Sequence, residues 1–235
     1  MSRYFCHEHP DVLTLETRIV DARPGAIVLQ DSPFHPGGGG QLPDRGLAVG
    51  DGLARASRAM RGLEGRHGFA GASRASGGLG ARRGPHVGQP TELHTDTHIL
   101  NALVYRHFAG ALVTGAQMND DGTARMDFDV PDADNDRLRA LEPEINDAIR
   151  QDLPVRYAYV PMAEAVSEHG LVRNRSVAPP PDTNGLVRIV EIVGLDRQAC
   201  GGTHLPSTAR SRPIRILKID NKGRHNRRVR LGLVD

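Results

Sequence analysis

TELHTDTHILNALVYRHF, residues 91–108, is the stretch from which the fold can be read. His94, His98, Ile99, Leu100, Leu103, Val104 and Phe108 recur at helical spacing as far as Gly110, which predicts an amphipathic helix beginning near Thr91. The same spacing puts His94 and His98 on one face, about one turn apart, as two ligands of one ion must be. Downstream, Leu112-Val113 opens an apolar strand and Asn119-Asp120-Asp121-Gly122 signals a turn. Ala124 to Val130 alternates like a half-buried strand, so 110–130 is read as a hairpin. Asp132 to Asp152 reads as a second helix, with Leu138, Leu141, Ile145, Ala148 and Ile149 as its apolar stripe. Val155–Val160 is a further strand, and Met162–His169 a short helix closed by Gly170. A Pro-rich loop over 175–184 precedes late strands at 186–192, 214–219 and 228–233. Helices and strands mix without a βαβ repeat. The fold class is therefore α+β: two layers, with a mixed or antiparallel sheet and helices.

Upstream, 12–30 reads as two strands around the turn Arg23-Pro24-Gly25. FHPGGGGQLPDRG, residues 34–46, is a backbone-dominated loop, too rich in glycine for a helix or a central strand. Residues 51–90 are rich in Arg, Gly, Ala and Ser and show no sustained period. Three readings stand: a flexible, disordered segment, a basic tract touching nucleic acid, or a locally corrupted reading frame. The expected organisation is a small N-terminal β-rich domain over 1–90, carrying the Gly-rich loop, and a metal-binding domain over 91–235.

Composition bounds the rest. Aromatics are 4% of 235 residues and Trp is absent, so the core should be aliphatic. A net charge of +2 is the difference between 30 basic and 28 acidic residues, and it decides nothing about nucleic acid. Two cysteines, Cys6 and Cys200, make no disulfide framework and fit a reducing compartment. The charged N-terminus does not resemble a signal peptide. No run approaches the roughly 18 apolar residues of a membrane span. A soluble, cytoplasmic chain without a membrane partner is expected, as a monomer or a dimer.

Far along the chain, Cys200-Gly201-Gly202-Thr203-His204 offers a thiolate and a third imidazole, with two glycines to let the backbone turn between them. Neither His-x3-His nor Cys-x3-His is specific alone; together they predict one metal site of His94, His98, Cys200 and His204. Three imidazoles and a thiolate form a borderline-soft set that favours zinc. The zinc-protease helix carries Glu directly after its first His. Thr95 stands there, so that pattern is absent and no built-in base is evident. Asp96 is expected to point away from the ligands. Cys6 is read as an incidental thiol, and His7, His9, His35 and His107 as structural or surface residues.

These motifs together resemble the editing domain of alanyl-tRNA synthetase. They resemble more closely its freestanding relatives, the AlaX proteins of medium length that carry a Gly-rich motif. The resemblance rests on His94–Leu100, the strands around Gly115–Phe128, Cys200–His204, the loop 34–46 and the tail from Pro213. It covers about 10–50 and 91–235 and fails across 51–90, where the family continues a small β domain. It implies a metal-dependent deacylase that hydrolyses mischarged seryl-tRNA(Ala), and secondarily glycyl-tRNA(Ala), in trans. The metal would bind the seryl group or polarise a water, with His204 as the most labile ligand. A pocket for alanine cannot strongly reject a side chain that merely adds a hydroxyl, so a second site must remove the error.

Site roles follow with alternatives beside them. Gly38, Gly39, Gly40 and Gln41 either present amides to the ester or the terminal adenosine, or form a tight turn between the domains. Thr95 either meets the substrate beside the metal or is a solvated helix residue. Gln117 either lines the pocket or is a polar strand residue. Arg228, with Lys218, Lys222, Arg224, His225, Arg227 and Arg230, and joined by Arg173 and Arg175, either meets acceptor-stem phosphates or is a solvated face. Competing functions are editing of another mischarged tRNA, a tRNA-binding module with structural zinc, and hydrolysis of a small ester or amide.

Overall fold

The structure, a computed structural model, describes residues 4–23, 26–50, 53–58, 66–69, 78–83, 88–131, 134–173 and 181–234. A short helix α1 (Phe5–Glu8) leads into β1 (Thr14–Arg23) and β2 (Ala26–Leu29), which pair antiparallel; residues 24 and 25 of the expected turn lie outside the described ones. β3 (Arg45–Gly50), β4 (Leu53–Arg58), β5 (Arg66–Phe69) and β6 (Gly78–Arg83) complete a closed barrel in the order β1-β2-β5-β4-β3-β6. Three of these strands fall within 51–90, where the missing period suggested a flexible segment. The barrel is closed by backbone pairing, β6 to both β1 and β3 and β5 to β2. Such pairing leaves little trace in a sequence of Arg, Ala and Gly. The residues between these strands lie outside the described ones.

The central helix α2 (Gly88–His107) is held between β7 (Leu112–Met118), β8 (Thr123–Asp129) and a later helix. It ends where Ala109 and Gly110 take positive φ and Gly110 N–H bonds the Tyr105 carbonyl. The expected helix over 132–152 is two: α3 (Asn135–Arg139), capped by the Asp134 carboxylate on Asp136 N–H, and α4 (Leu141–Arg150). Pro143 explains the break. In a continuous helix its ring would press on the Arg139 carbonyl and its missing N–H would leave that oxygen unbonded; in the first turn of α4 it does neither. Residues 132 and 133 lie outside the description.

β9 (Val155–Pro161), α5 (Met162–Ser167), β10 (Leu186–Ile192) and β11 (Asp196–Ala199) follow, then a 3-10 turn at Thr208–Arg210, β12 (Ile214–Asn221) and β13 (Asn226–Leu233). The sheets are β11-β10-β9 and β12-β13-β8-β7, and all their neighbours run antiparallel. The α+β class thus stands, without a mixed sheet. Ile99, Leu103, Phe128, Ile145 and Val229 are fully or nearly fully buried in one core between α2, α4 and the four-stranded sheet. It is aliphatic apart from Phe128, whose truncation to Ala should cost about 3–5 kcal/mol. Leu93, Met118 and Ala124 extend the apolar packing toward the N-terminal part of α2. Among the described residues no helix is long and apolar enough to cross a membrane.

Candidate metal centre

α2 presents His94 and His98 side by side, with ring centroids 5.3 Å apart. The loop after β11 brings Cys200 and His204 onto the same point. Cys200 Sγ lies 3.3 Å from His94 Nε2 and 3.3 Å from His204 Nε2. The His204 ring is 4.4 Å from that of His94 and 4.5 Å from that of His98, centroid to centroid. One donor atom from each of the four residues lies within 4.8 Å of the others, and all four residues are buried.

Gly202 makes the approach possible. A Cβ there would stand 2.0 Å from His94 Cε1 and 2.3 Å from its Nδ1, so any side chain would displace a ligand. Arg188 of β10 holds the loop from behind: Nη1 donates to the carbonyls of Cys200 (3.2 Å) and Gly202 (2.8 Å), and Cys200 N–H returns a bond to Arg188 O.

Each imidazole is oriented from its outer nitrogen. His94 Nδ1 lies 2.9 Å from Gln41 Oε1. That oxygen also accepts Thr203 N–H, so it faces an Nδ1–H and leaves Nε2 a free lone pair toward Cys200. Gln41 Nε2 in turn donates to Thr203 Oγ1 at 2.7 Å. His98 Nδ1 lies 3.4 Å from Asp196 Oδ2, and Asp196 is bound by Arg173 Nη1 (2.7 Å) and Gln198 Nε2 (2.6 Å). Asn101 Nδ2 donates to Gln198 Oε1. His204 Nδ1 lies 3.4 Å from Thr95 Oγ1, which also accepts Leu205 N–H. Such outer partners fix tautomer and ring direction and raise ligand basicity.

The electrostatics suit a bound cation. Burial alone would push the Cys200 thiol up, but His94, His98 and His204 hold it well below the ordinary thiol value, as thiolate. Burial likewise disfavours the charged form of His98, yet the Cys200 thiolate and Asp196 raise it to about 9. Burial and the two neighbouring imidazoles push His204 well down. Burial disfavours Asp196 as an anion too, but His98, Arg173 and Gln198 outweigh it and keep it ionised. A cation bound here would favour the deprotonated His98 over the imidazolium. Donor chemistry, convergence and outer orientation all fit a metal ion.

The other expected site residues are placed as follows. Gly38 and Gln41 exchange both backbone hydrogen bonds around Gly39 and Gly40, whose positive φ values (60° and 88°) make a tight turn. That turn docks on β7: Gly40 O accepts Met118 N–H, and a Cβ on Gly40 would meet Ala116 O at 2.6 Å. Gln41 therefore turns its side chain onto His94 and Thr203. Thr95 is fully buried, not solvated, and its hydroxyl serves His204 and Leu205. Asp96 points away, as expected, and accepts Ser211 Oγ–H at 2.9 Å.

The structure does not bring Gln117 or Arg228 to the ligands. Gln117 alternates with the inward Ala116 and Met118, and it bonds Asn119 and Arg125 on the opposite face of the sheet. Arg228 shares that face and makes a bidentate pair with Asp127, at 2.7 and 2.8 Å. Arg173, expected at phosphates, is largely buried on Asp196 and lies over the Tyr105 ring, 4.1 Å from its centroid. Lys218 and Arg230 both pair with Asp220. Arg175 lies outside the described residues.

The sequence did not point to Asp196, Gln198 or Arg188, and Arg173 was expected in another role. Their one signal is the alternation Asp196-x-Gln198-x-Cys200, which sends three polar side chains to one face and ends on the thiol ligand. Cys6, His7 and His35, read separately as unremarkable, also lie together.

The model of the threonyl and alanyl tRNA synthetase second additional domain matches residues 187–230, which include Arg188, Asp196, Cys200 and His204. Over 221 residues the chain is 33% identical to the alanyl-tRNA editing protein AlaX-M of Saccharolobus solfataricus, covering 91% of each. It is 39% identical to AlaX-M of Methanosarcina barkeri over 144 residues, 61% of this chain and 58% of that protein. An alanine–tRNA ligase of Nitrosopumilus maritimus is 29% identical over 88% of this chain, which spans 23% of the ligase. With nearly the whole of one relative matched end to end, the chain belongs to the AlaX-M family of alanyl-tRNA editing proteins.

Proposed function

We propose that this chain is a zinc-dependent aminoacyl-tRNA deacylase. It acts in trans, in the cytoplasm, on the acceptor end of tRNA(Ala), and removes serine and secondarily glycine. The names of its relatives support the editing class. The observation that carries the metal reading is the buried group of His94, His98, Cys200 and His204, each imidazole gripped at Nδ1 by a different side chain. Three nitrogens and a thiolate suit zinc better than magnesium or calcium.

His94, His98, Cys200 and His204 would hold the ion. When bound, it supplies a Lewis acid that anchors the seryl group and offsets charge developing on the ester oxygen. The protein's own part is positional. Gln41 aims His94 and braces Thr203, Asp196 aims His98, and Thr95 aims His204. Gly202 and Arg188 keep the Cys200 loop close enough to act. Gly39 is the exposed tip of the turn that Gln41 anchors beside His94, open backbone for the terminal adenosine or ester, and Gly40 packs that turn on β7. Asp196 is committed to His98 and Arg173 and takes no proton from water. Serine would be told from alanine by its hydroxyl, which the editing site can hold; glycine, which has none, would enter only by being smaller.

The test is release of labelled amino acid from seryl-tRNA(Ala) and from alanyl-tRNA(Ala), with and without chelator. Serine should be released selectively, chelator should stop it, and added zinc should restore it. Equal hydrolysis of both substrates, or turnover indifferent to chelator, would overturn the proposal. His204→Ala should keep the fold and lose turnover.

A further inference from the structure

We infer that Cys6, His7 and His35 form a second metal site, for a thiophilic cation such as zinc, separate from the centre on α2. Their donor atoms all lie within 4.8 Å of one another, and all three residues are buried. The inference does not depend on the substrate proposed above.

The three ligands come from two segments that the fold braces independently. α1 delivers Cys6 and His7 from one turn of helix, closed by His9 N–H on the Phe5 carbonyl. His35 stands at the entry to the Gly-rich turn and is fixed at both backbone atoms. Its N–H donates to Asp44 Oδ2 at 2.8 Å, and its carbonyl accepts Asp44 N–H at 2.9 Å. The His7 and His35 rings face each other with centroids 5.7 Å apart. Exposure is 0% for Cys6, 5% for His7 and 1% for His35. His7 Nε2 is buried and makes no hydrogen bond to the described residues. A buried imidazole nitrogen without a partner carries a desolvation cost, which a metal bond would remove. A thiol with two imidazoles and no carboxylate is a donor set for zinc or a softer ion, and three protein ligands leave a fourth position for water.

The cluster also lies where an ion would matter. Arg188 reaches both regions, donating from Nη2 to His7 O (3.5 Å) and from Nη1 to Cys200 O and Gly202 O. A few residues beyond His35, Gln41 grips His94. An ion on Cys6, His7 and His35 would tie the N-terminal segment to the loop that orients the first centre.

Metal content separates this from a single-site protein. The purified full chain, loaded with zinc and examined by native mass spectrometry, should carry two ions. Cys6→Ser and His35→Asn should each carry one, and Cys200→Ser should still carry one. Cobalt loading gives a second readout, because Cys6 and Cys200 are the only cysteines. Cobalt-loaded Cys200→Ser should keep a thiolate-to-cobalt charge-transfer band, which adding Cys6→Ser abolishes. One ion per wild-type chain at saturating zinc would overturn the site. So would two ions whose number Cys6→Ser leaves unchanged, a comparison that stands even if Cys200→Ser fails to fold.

Discussion

Two histidine–cysteine clusters sit in this molecule, and they are built to different standards. Around His94, His98, Cys200 and His204 every imidazole has an outer partner, and one of those partners, Asp196, is itself bound by Arg173 and Gln198. Around Cys6, His7 and His35 the backbone is braced, but His7 Nε2 has no hydrogen bond to the described residues and the rings stand farther apart. The difference teaches what pre-organisation consists of. Bringing donors together takes only packing; aiming their lone pairs takes a second set of polar residues buried beside the rings they face. The first cluster should therefore bind more tightly and tolerate substitution less.

The comparison can be broken most directly at Gly202. Gly202→Ala should lower metal affinity at the first centre by at least about a hundredfold, the upper range for loss of ligand orientation, since its Cβ would overlap His94. A chelator-competition titration reads this, and binding within a few fold of wild type would show that the Cys200 loop is free to shift. Next come the outer partners. Asp196→Asn and Gln41→Ala should each weaken metal binding about 10–100-fold. If Thr95→Val costs as much as either, the longer 3.4 Å contact to His204 is as strong as the 2.9 Å contact of Gln41.

Cys6→Ser should act through stability. An ion present at a hundred times its dissociation constant stabilises by about 2.7 kcal/mol. The variant should thus show a smaller zinc-induced rise in Tm than wild type while keeping the rise due to the first centre. The smallest effect concerns Asp96. Burial raises its carboxyl well above the ordinary range, although the Ser211 bond opposes this. A group bound more tightly by protons in the folded state favours folding at low pH. Its contribution is full below the unfolded value of about 3.9 and is lost as pH rises toward the folded value. Asp96→Asn should flatten that slope. Denaturant titrations across this window should show wild type losing ground to the variant as pH rises, and parallel curves would contradict the assignment.

How much of this was legible in the sequence depends on which face each residue uses. His94 and His98 were readable because helical period and ligand spacing coincide, and Cys200 and His204 because Gly201-Gly202 announces a tight turn. β11 was not, because strand reading looks for apolar residues on the inward side. Its inward residues, Asp196 and Gln198, are polar for the sake of His98. Function here erased the signal that structure would have left. The barrel strands at 53–58, 66–69 and 78–83 were hidden for a different reason: their pairing is a backbone property. Arg173 and Arg228 were grouped with surface charges because charge alone does not say that Asp196 and Asp127 are waiting for them. Cys6 and His35 looked solitary because nothing local relates a one-turn helix to a distant loop.

The bond between Gln41 and Thr203 joins residues 162 positions apart, and the pair Cys200–His94 spans 106. Contacts of such separation reward the chain only after most of its loops have closed, so they form late and slow the search. The ligands of the first centre consequently converge near the end of folding. At that centre, a nascent chain still lacking β11 and the Cys200 loop has only the histidine pair on α2 and offers an ion a fraction of the final hold. In Cys6→Ser, which keeps only the first centre, refolding in the presence of zinc should leave the early phases unchanged and act on the last one, making metal capture there a report that β11 and the Cys200 loop have arrived.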